Sequence, residues 1–154
     1  MNYVIPPHRR GPIEEVLKAL SPAKRVLLTT HVNADGDGTG SEVAMASWLR
    51  NQGKEVWIIN PTPFPDTFRF LLTEADSCLD PESSKAKEVV QRADLALILD
   101  TGEVGRIGRV MDLIGSLPTV VVDHHPVGPD PIPGVSFRDP EASMITTKLS
   151  TLDA

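Results

Sequence analysis

The chain has a single cysteine, Cys78. It can therefore form no internal disulfide, and zinc sites built on paired cysteines are excluded. A reducing, cytoplasmic compartment is the matching expectation, with Cys78 as a small packed residue. Aromatic residues make up only 5% of the sequence, and 21 acidic side chains outnumber 15 basic ones for a net charge of −6. Long nucleic acid is gripped by basic faces and stacking platforms, so that class of partner is not expected. No apolar run approaches the roughly 18 to 20 residues that span a bilayer. The N-terminus, Met1 to Arg10, carries Pro6, Pro7 and two arginines but no apolar signal-peptide core. No membrane partner is expected either. The G-x-x-x-x-G-K-[ST] phosphate loop, the dinucleotide G-x-G-x-x-G spacing and the G-x-S-x-G nucleophile elbow are all missing.

What is present fits one soluble domain. The length is 154 residues, with 40% hydrophobic and 23% charged content, enough for a real core. Ile13, Val16, Leu17 and Leu20 form a helical stripe, which predicts a helix over Pro12 to Leu20. Short apolar runs predict strands at Arg25 to Thr30, Glu55 to Asn60, Leu95 to Leu99, Thr119 to Val122 and Val135 to Arg138. Helical patterns fall between them, at Glu42 to Gln52, Asp66 to Leu72, Ser84 to Arg92 and Arg106 to Ile114, with a last one at Ala142 to Leu152. Thr39 and Glu42 have the spacing of a capping box, and Gly53 suits a helix stop. Continuous apolar strands alternating with amphipathic helices predict an α/β fold, a mostly parallel sheet with helices on both faces. Ligands in such sheets bind beyond the carboxyl ends of the strands.

Chemistry-bearing residues sit at those ends. His31-Val32-Asn33-Ala34-Asp35-Gly36-Asp37-Gly38-Thr39-Gly40-Ser41 follows the first strand, Asp100 ends the Leu95 run, and Asp123-His124-His125 ends the Thr119 run. Each has a plain structural explanation as turn, cap or loop residues, but three strand ends that share one ligand chemistry argue for a divalent cation. Asp35-x-Asp37-x-Thr39-Gly40 imitates the start of a calcium loop, yet its twelfth position is Ala46 and its lead-in is a strand. Carboxylates in the majority, with imidazole and without thiolate, suit Mn(II), with Mg(II) or Co(II) as alternatives. A carboxylate between two cations can bridge them, and such a pair acidifies water and stabilises an in-line phosphorus transition state. Two divalent cations would also offset most of the chain's negative charge. Phosphoester hydrolysis is the first expectation from the chemistry.

The motifs as they stand resemble those of the DHH phosphoesterase family. His31 to Ser41 is similar to the first motif, Leu97 to Gly102 with Arg106-Ile107-Gly108 to the second, and Asp123-His124-His125 to the triplet that names the family. The resemblance covers about Val26 to Ala142. The leading histidine is shared with the oligoribonuclease (nanoRNase) and 3′-phosphoadenosine 5′-phosphate phosphatase branch. It implies a Rossmann-like N-terminal domain in which His31 and Asp35 hold one manganese, Asp37 and His124 the other, and Asp100 bridges. His125 would lie near the phosphate or leaving group, and Asp123 would orient the histidines. A hydroxide between the two ions would attack phosphorus in short oligoribonucleotides or small nucleotide phosphates. The family's fourth-motif aspartate and its second, substrate-binding domain have no counterpart in residues 1–154, and neither Asp139 nor Asp153 matches that aspartate. The expectation is a truncated catalytic domain that binds one metal better than two and turns over slowly if at all. Pyrophosphate or cyclic dinucleotide hydrolysis, or a metal-binding module without turnover, are the alternatives. Self-association through an exposed edge or an uncovered cleft is compatible with this outline.

Overall fold

A computed structural model describes residues 5–73 and 78–142. The expected helix at Ala142 to Leu152 lies outside the described residues. The chain runs α1 (Pro7–Leu20), β1 (Arg25–Thr29), α2 (Gly36–Asn51), β2 (Glu55–Ile59), a 3-10 turn (Asp66–Leu71), β3 (Cys78–Leu79), α3 (Ser84–Arg92), β4 (Leu95–Leu99), α4 (Val104–Ile107), α5 (Arg109–Ile114), β5 (Thr119–Asp123) and β6 (Val135–Arg138).

All six strands are parallel, in the order β3-β2-β1-β4-β5-β6. Every residue of β4 and β5 is buried, because a central parallel strand is covered on both faces. Alternate side chains point to two cores. Val26, Leu28, Leu97 and Val122 meet α1 and α2 on one face, while Leu27, Ile98 and Val121 meet α3, α4 and α5 on the other. The α/β fold with helices on both faces is thus the one the apolar pattern predicts. After β1 the chain builds outward through β2 and β3, then crosses back so that β4 pairs with the other side of β1. Neighbouring connections diverge between β1 and β4, and a crevice opens there at the carboxyl ends.

Four local expectations are corrected. α1 starts at Pro7, not Pro12, and Pro12 lies inside it; Pro7 supplies the favourable first-turn position. α2 starts at Gly36, six residues earlier than the apolar pattern suggests, because Asp35 is its N-cap. Gly108, at φ 49°, splits the Arg106 to Ile114 helix into α4 and α5. Cys78 is exposed rather than packed, because it sits on the two-residue edge strand β3. Among the described residues no helix is long and apolar enough to cross a membrane.

Candidate metal centre

The first motif turns sharply out of β1. Thr30 is pinned there: its amide donates to Asn60 Oδ1 at 3.1 Å and its hydroxyl to the Leu99 carbonyl at 2.8 Å. Asp35 then opens α2, its Oδ1 accepting from the amides of Asp37 at 3.0 Å and Gly38 at 3.2 Å. Thr39, read from sequence as the N-cap, instead donates its hydroxyl back to the Asp35 carbonyl. The cap fixes the backbone so that Asp35 and Asp37 flank the crevice. The helix N-terminus also favours negative charge there.

Asp100, at the end of β4, is the central group. It is 1% exposed and adopts a left-handed φ of 60°, a conformation that non-glycine residues rarely hold unless the surroundings enforce it. Its amide donates to the Val122 carbonyl at 3.0 Å. Its Oδ2 lies 3.4 Å from His31 Nε2 and its Oδ1 3.2 Å from His124 Nε2. His31 Nε2 is also 3.9 Å from Asp35 Oδ1, and His124 Nε2 3.5 Å from Asp37 Oδ2. The structure therefore brings His31, Asp35, Asp37, Asp100 and His124 together as two sets that share Asp100.

Several features of these residues fit divalent cations. Asp100 Oδ1 is buried without a hydrogen-bond partner. His31 Nδ1 lies 2.9 Å from the Val32 carbonyl and His124 Nδ1 3.1 Å from the Ala142 carbonyl. Each carbonyl holds a proton on Nδ1 and leaves Nε2 as the lone-pair nitrogen, the arrangement that ligating histidines use. Two donors bound to one ion at about 2.1 Å stand roughly 3.0 to 3.4 Å apart at octahedral to tetrahedral angles, close to the separations found.

His125 is placed differently. Its Nδ1 lies 2.8 Å from Asp123 Oδ1 and 3.9 Å from Asp100 Oδ1. Asp123, 1% exposed, also accepts the amides of His124 at 2.8 Å and His125 at 3.1 Å through the same oxygen. Asp123 thus shapes the whole triplet and fixes the His125 tautomer, with Nδ1 engaged and Nε2 left over.

The electrostatics follow the geometry. Hydrogen bonding to Asp100 raises the His31 pKa, against the opposing effect of burial. Burial pushes Asp35 up, but the Gly38 and Asp37 amides and the nearby His31 and Arg106 charges outweigh it and lower its pKa. The charge of Arg106, on α4, reaches both His31 and Asp35. Its carbonyl accepts from the Val32 amide at 2.8 Å.

Sequence reading missed two groups beneath the centre. Glu42, expected to reach back as half of a capping box, is fully buried and accepts from Asn60 Nδ2 at 2.9 Å, with its Oε1 unpartnered. Burial pushes its pKa up to about 8, against the Asn60 hydrogen bond. Nothing local could have paired Glu42 with Asn60; the packing of α2 against β2 brings them together. An acid of ordinary pKa 4.5 raised to about 8 is protonated in the fold when the unfolded chain has already ionised. Its contribution is fully present below pH 4.5 and is lost as pH rises to about 8. Glu42→Gln is therefore expected to stabilise the protein by a few kcal/mol near pH 8 and by much less near pH 5, measured by urea unfolding at both. A pH-independent difference would contradict this.

Gly38 shows how tightly the centre is packed. A Cβ there would meet Thr30 Oγ1 at 2.7 Å and Asp100 Oδ2 at 3.5 Å. Thr30 Oγ1 is held by the Leu99 carbonyl and cannot retreat freely. Gly38→Ala is expected to cost about 1 to 3 kcal/mol in thermal or urea unfolding and to weaken divalent-ion binding by shifting Asp100. Gly40 has open space around its Cβ position, so Gly40→Ala serves as the control.

A cleft of about 360 Å³ is lined by Asn60, Pro61, Thr62, Phe64, Leu79 and Arg109 among others. Thr62 joins it to the first motif by accepting the Asn33 amide at 2.9 Å.

The family model described as "DHH family, N-terminal domain" matches residues 25–152. Among solved structures, the chain is similar to an exopolyphosphatase-related protein from Bacteroides fragilis, with 26% identity, 99% of this chain covered and a TM-score of 0.82. The match covers 44% of that protein, so the chain spans less than half of its length. RecJ from Thermus thermophilus, solved in complex with Mn2+, matches at 20% identity and a TM-score of 0.54, over 97% of this chain and 20% of that one. A manganese-bound exonuclease RecJ matches at 21% identity and 0.52, over 93% and 34%. The two RecJ matches show a shared fold alone.

Proposed function

The chain belongs to the DHH family by its N-terminal domain, and from that membership and the paired ligand sets we propose that it is a metal-dependent phosphoesterase. The observation that carries the reading is Asp100: a buried carboxylate between two histidines, each of which has its other nitrogen tied to a backbone carbonyl. His31, Asp35 and Asp100 would hold one divalent ion, and Asp37, His124 and Asp100 the other. Manganese fits this oxygen-rich donor set, with magnesium or cobalt as alternatives. Two such ions supply acidified water and neutralise phosphate charge.

The remaining roles belong to the chain itself. Asp123 holds the His125 Nδ1–H, so that the ring in its doubly protonated form would give its Nε2 proton to the departing oxygen and return to the neutral Nδ1–H form. Arg106 offsets phosphate charge at the His31 side. The cleft at Asn60, Thr62 and Phe64 has the volume for a nucleoside-sized group. Short oligoribonucleotides or 3′-phosphoadenosine 5′-phosphate are therefore the substrates proposed, in keeping with the acidic, aromatic-poor composition. Similarity to an exopolyphosphatase-related protein favours a second reading, in which the same centre cleaves a phosphoanhydride such as pyrophosphate.

A panel of a dinucleotide, 3′-phosphoadenosine 5′-phosphate, a cyclic dinucleotide and pyrophosphate, each with Mn2+, decides between them. Release of mononucleotide or of the 3′-phosphate, abolished by Asp100→Asn, supports the first reading. Turnover of pyrophosphate alone supports the second. Mn2+ binding without turnover of any of them would leave a metal-binding module and reject both.

A further inference from the structure

The first turn of α1, which the apolar stripe leaves out of the helix, carries Arg9. Its Nε lies 2.6 Å from Asp139 Oδ2, with the two side chains only 11% and 7% exposed. A buried ion pair of this kind is costly to desolvate, and removing one partner leaves the other charge uncompensated. Its location explains more than packing does. Asp139 Oδ1 accepts the Glu141 amide at 3.1 Å. The Asp139 carbonyl accepts the Ala142 amide at 3.1 Å, and the Asp139 amide donates to the Asp123 carbonyl at 3.1 Å. The turn so formed ends at Ala142, whose carbonyl is the group that holds His124 Nδ1. Arg9 thus stands, through this ion pair, at the far end of a hydrogen-bonded turn that terminates on a residue of the metal centre.

We propose that Arg9 and Asp139 are positioning residues that set the tautomer and orientation of His124 by anchoring the turn that carries the Ala142 carbonyl. The proposal rests on the reading of His124 as a metal ligand. His31 supplies an internal control. Its Nδ1 rests on the Val32 carbonyl, and the Val32 amide is held by the Arg106 carbonyl on α4, with no hydrogen-bonded link to α1 among the described residues.

The test uses Arg9→Met. Long-range proton–nitrogen spectra of the metal-free protein, in alkaline buffer where imidazoles are neutral, report both tautomers. His124 is expected to change from a single Nδ1–H form to a mixture, while His31 stays as it is. Calorimetry with Mn2+ is expected to show about a tenfold loss of affinity, the size typical of removing support for a ligating histidine. The loss should persist in a His31→Ala background and vanish in a His124→Ala background. Arg9→Lys keeps the charge of the ion pair without the planar guanidinium. It should restore part of the affinity, and it gives the same contrast if the methionine variant does not fold. An unchanged His124 in a folded variant would overturn the proposal. So would equal disturbance of His31 and His124, which would make the pair a general structural tie. Failure of the wild-type protein to bind Mn2+ would instead sink the phosphoesterase reading, and the tautomer spectra would still report on Arg9.

Discussion

Asp100→Asn is expected to remove tight divalent-ion binding from both halves of the centre at once while leaving the fold intact. Asparagine matches aspartate in shape and tolerates the left-handed φ of 60° found at this position. What it loses is the charge that both sets share. Supporting groups around a metal typically contribute 10- to 100-fold in affinity, and a shared ligand should exceed that. Mn2+ affinity should therefore fall by more than about 100-fold, and kcat/KM by roughly 10³-fold, equivalent to about 4 kcal/mol of transition-state stabilisation. Metal-free stability should move the other way or not at all. Asp100 is buried among Asp35, Asp37 and two histidines, with one oxygen unpartnered, so loss of its charge relieves repulsion. One favourable contribution also disappears. The His31 pKa is raised first of all by Asp100, and the stability linked to that is fully present only below the unfolded histidine pKa and is gone above the folded one. Above the folded His31 pKa, then, the asparagine variant should melt at or above the wild-type temperature. Urea unfolding beside Mn2+ calorimetry separates the effects; a variant that unfolds at neutral pH would show that Asp100 is a structural residue.

His125→Asn is expected to do the opposite: hydrolysis falls steeply and the metals stay. Its Nδ1 bonds Asp123, its ring packs edge-on against His124 with centroids 4.5 Å apart, and it stands farther from Asp100 than His31 or His124 does. Loss of a positioned proton donor typically costs 10²- to 10⁴-fold in rate. The fall should appear in kcat, with Mn2+ affinity within about threefold of wild type, since the His31 and His124 ligand sets are untouched. A substrate with a much better leaving group, such as a nitrophenyl phosphoester, should recover much of the rate, because its departing oxygen needs no proton. Loss of Mn2+ binding in this variant would make His125 a ligand instead.

The strand ends were legible in the sequence for a physical reason. Parallel strands covered on both faces read as unbroken apolar runs, so the polar residues that terminate them, His31, Asp100 and Asp123, stand out sharply. The sheet order then places those three ends side by side, which the sequence pattern implied only as a class of fold. The beginning of α2 was not legible. Its first turn is Gly36-Asp37-Gly38-Thr39-Gly40, poor in helix propensity, and it is held by the Asp35 cap and by close packing against Thr30. The capping box that Glu42 suggests is a local pattern, whereas its contact in the fold, Asn60, follows β2 and lies across from α2. The outer turn of α1 is hidden in the sequence because Pro12 looks like a helix start. With it went Arg9, whose reach to Asp139 spans most of the chain.

Paramagnetic resonance of the protein titrated with Mn2+ tests the central claim, that one carboxylate joins two ion sites. The account predicts a first ion bound tightly and a second more weakly, with an exchange-coupled spectrum at saturation that Asp100→Asn abolishes. Two independent, uncoupled ions, or binding that survives the asparagine substitution, would contradict it.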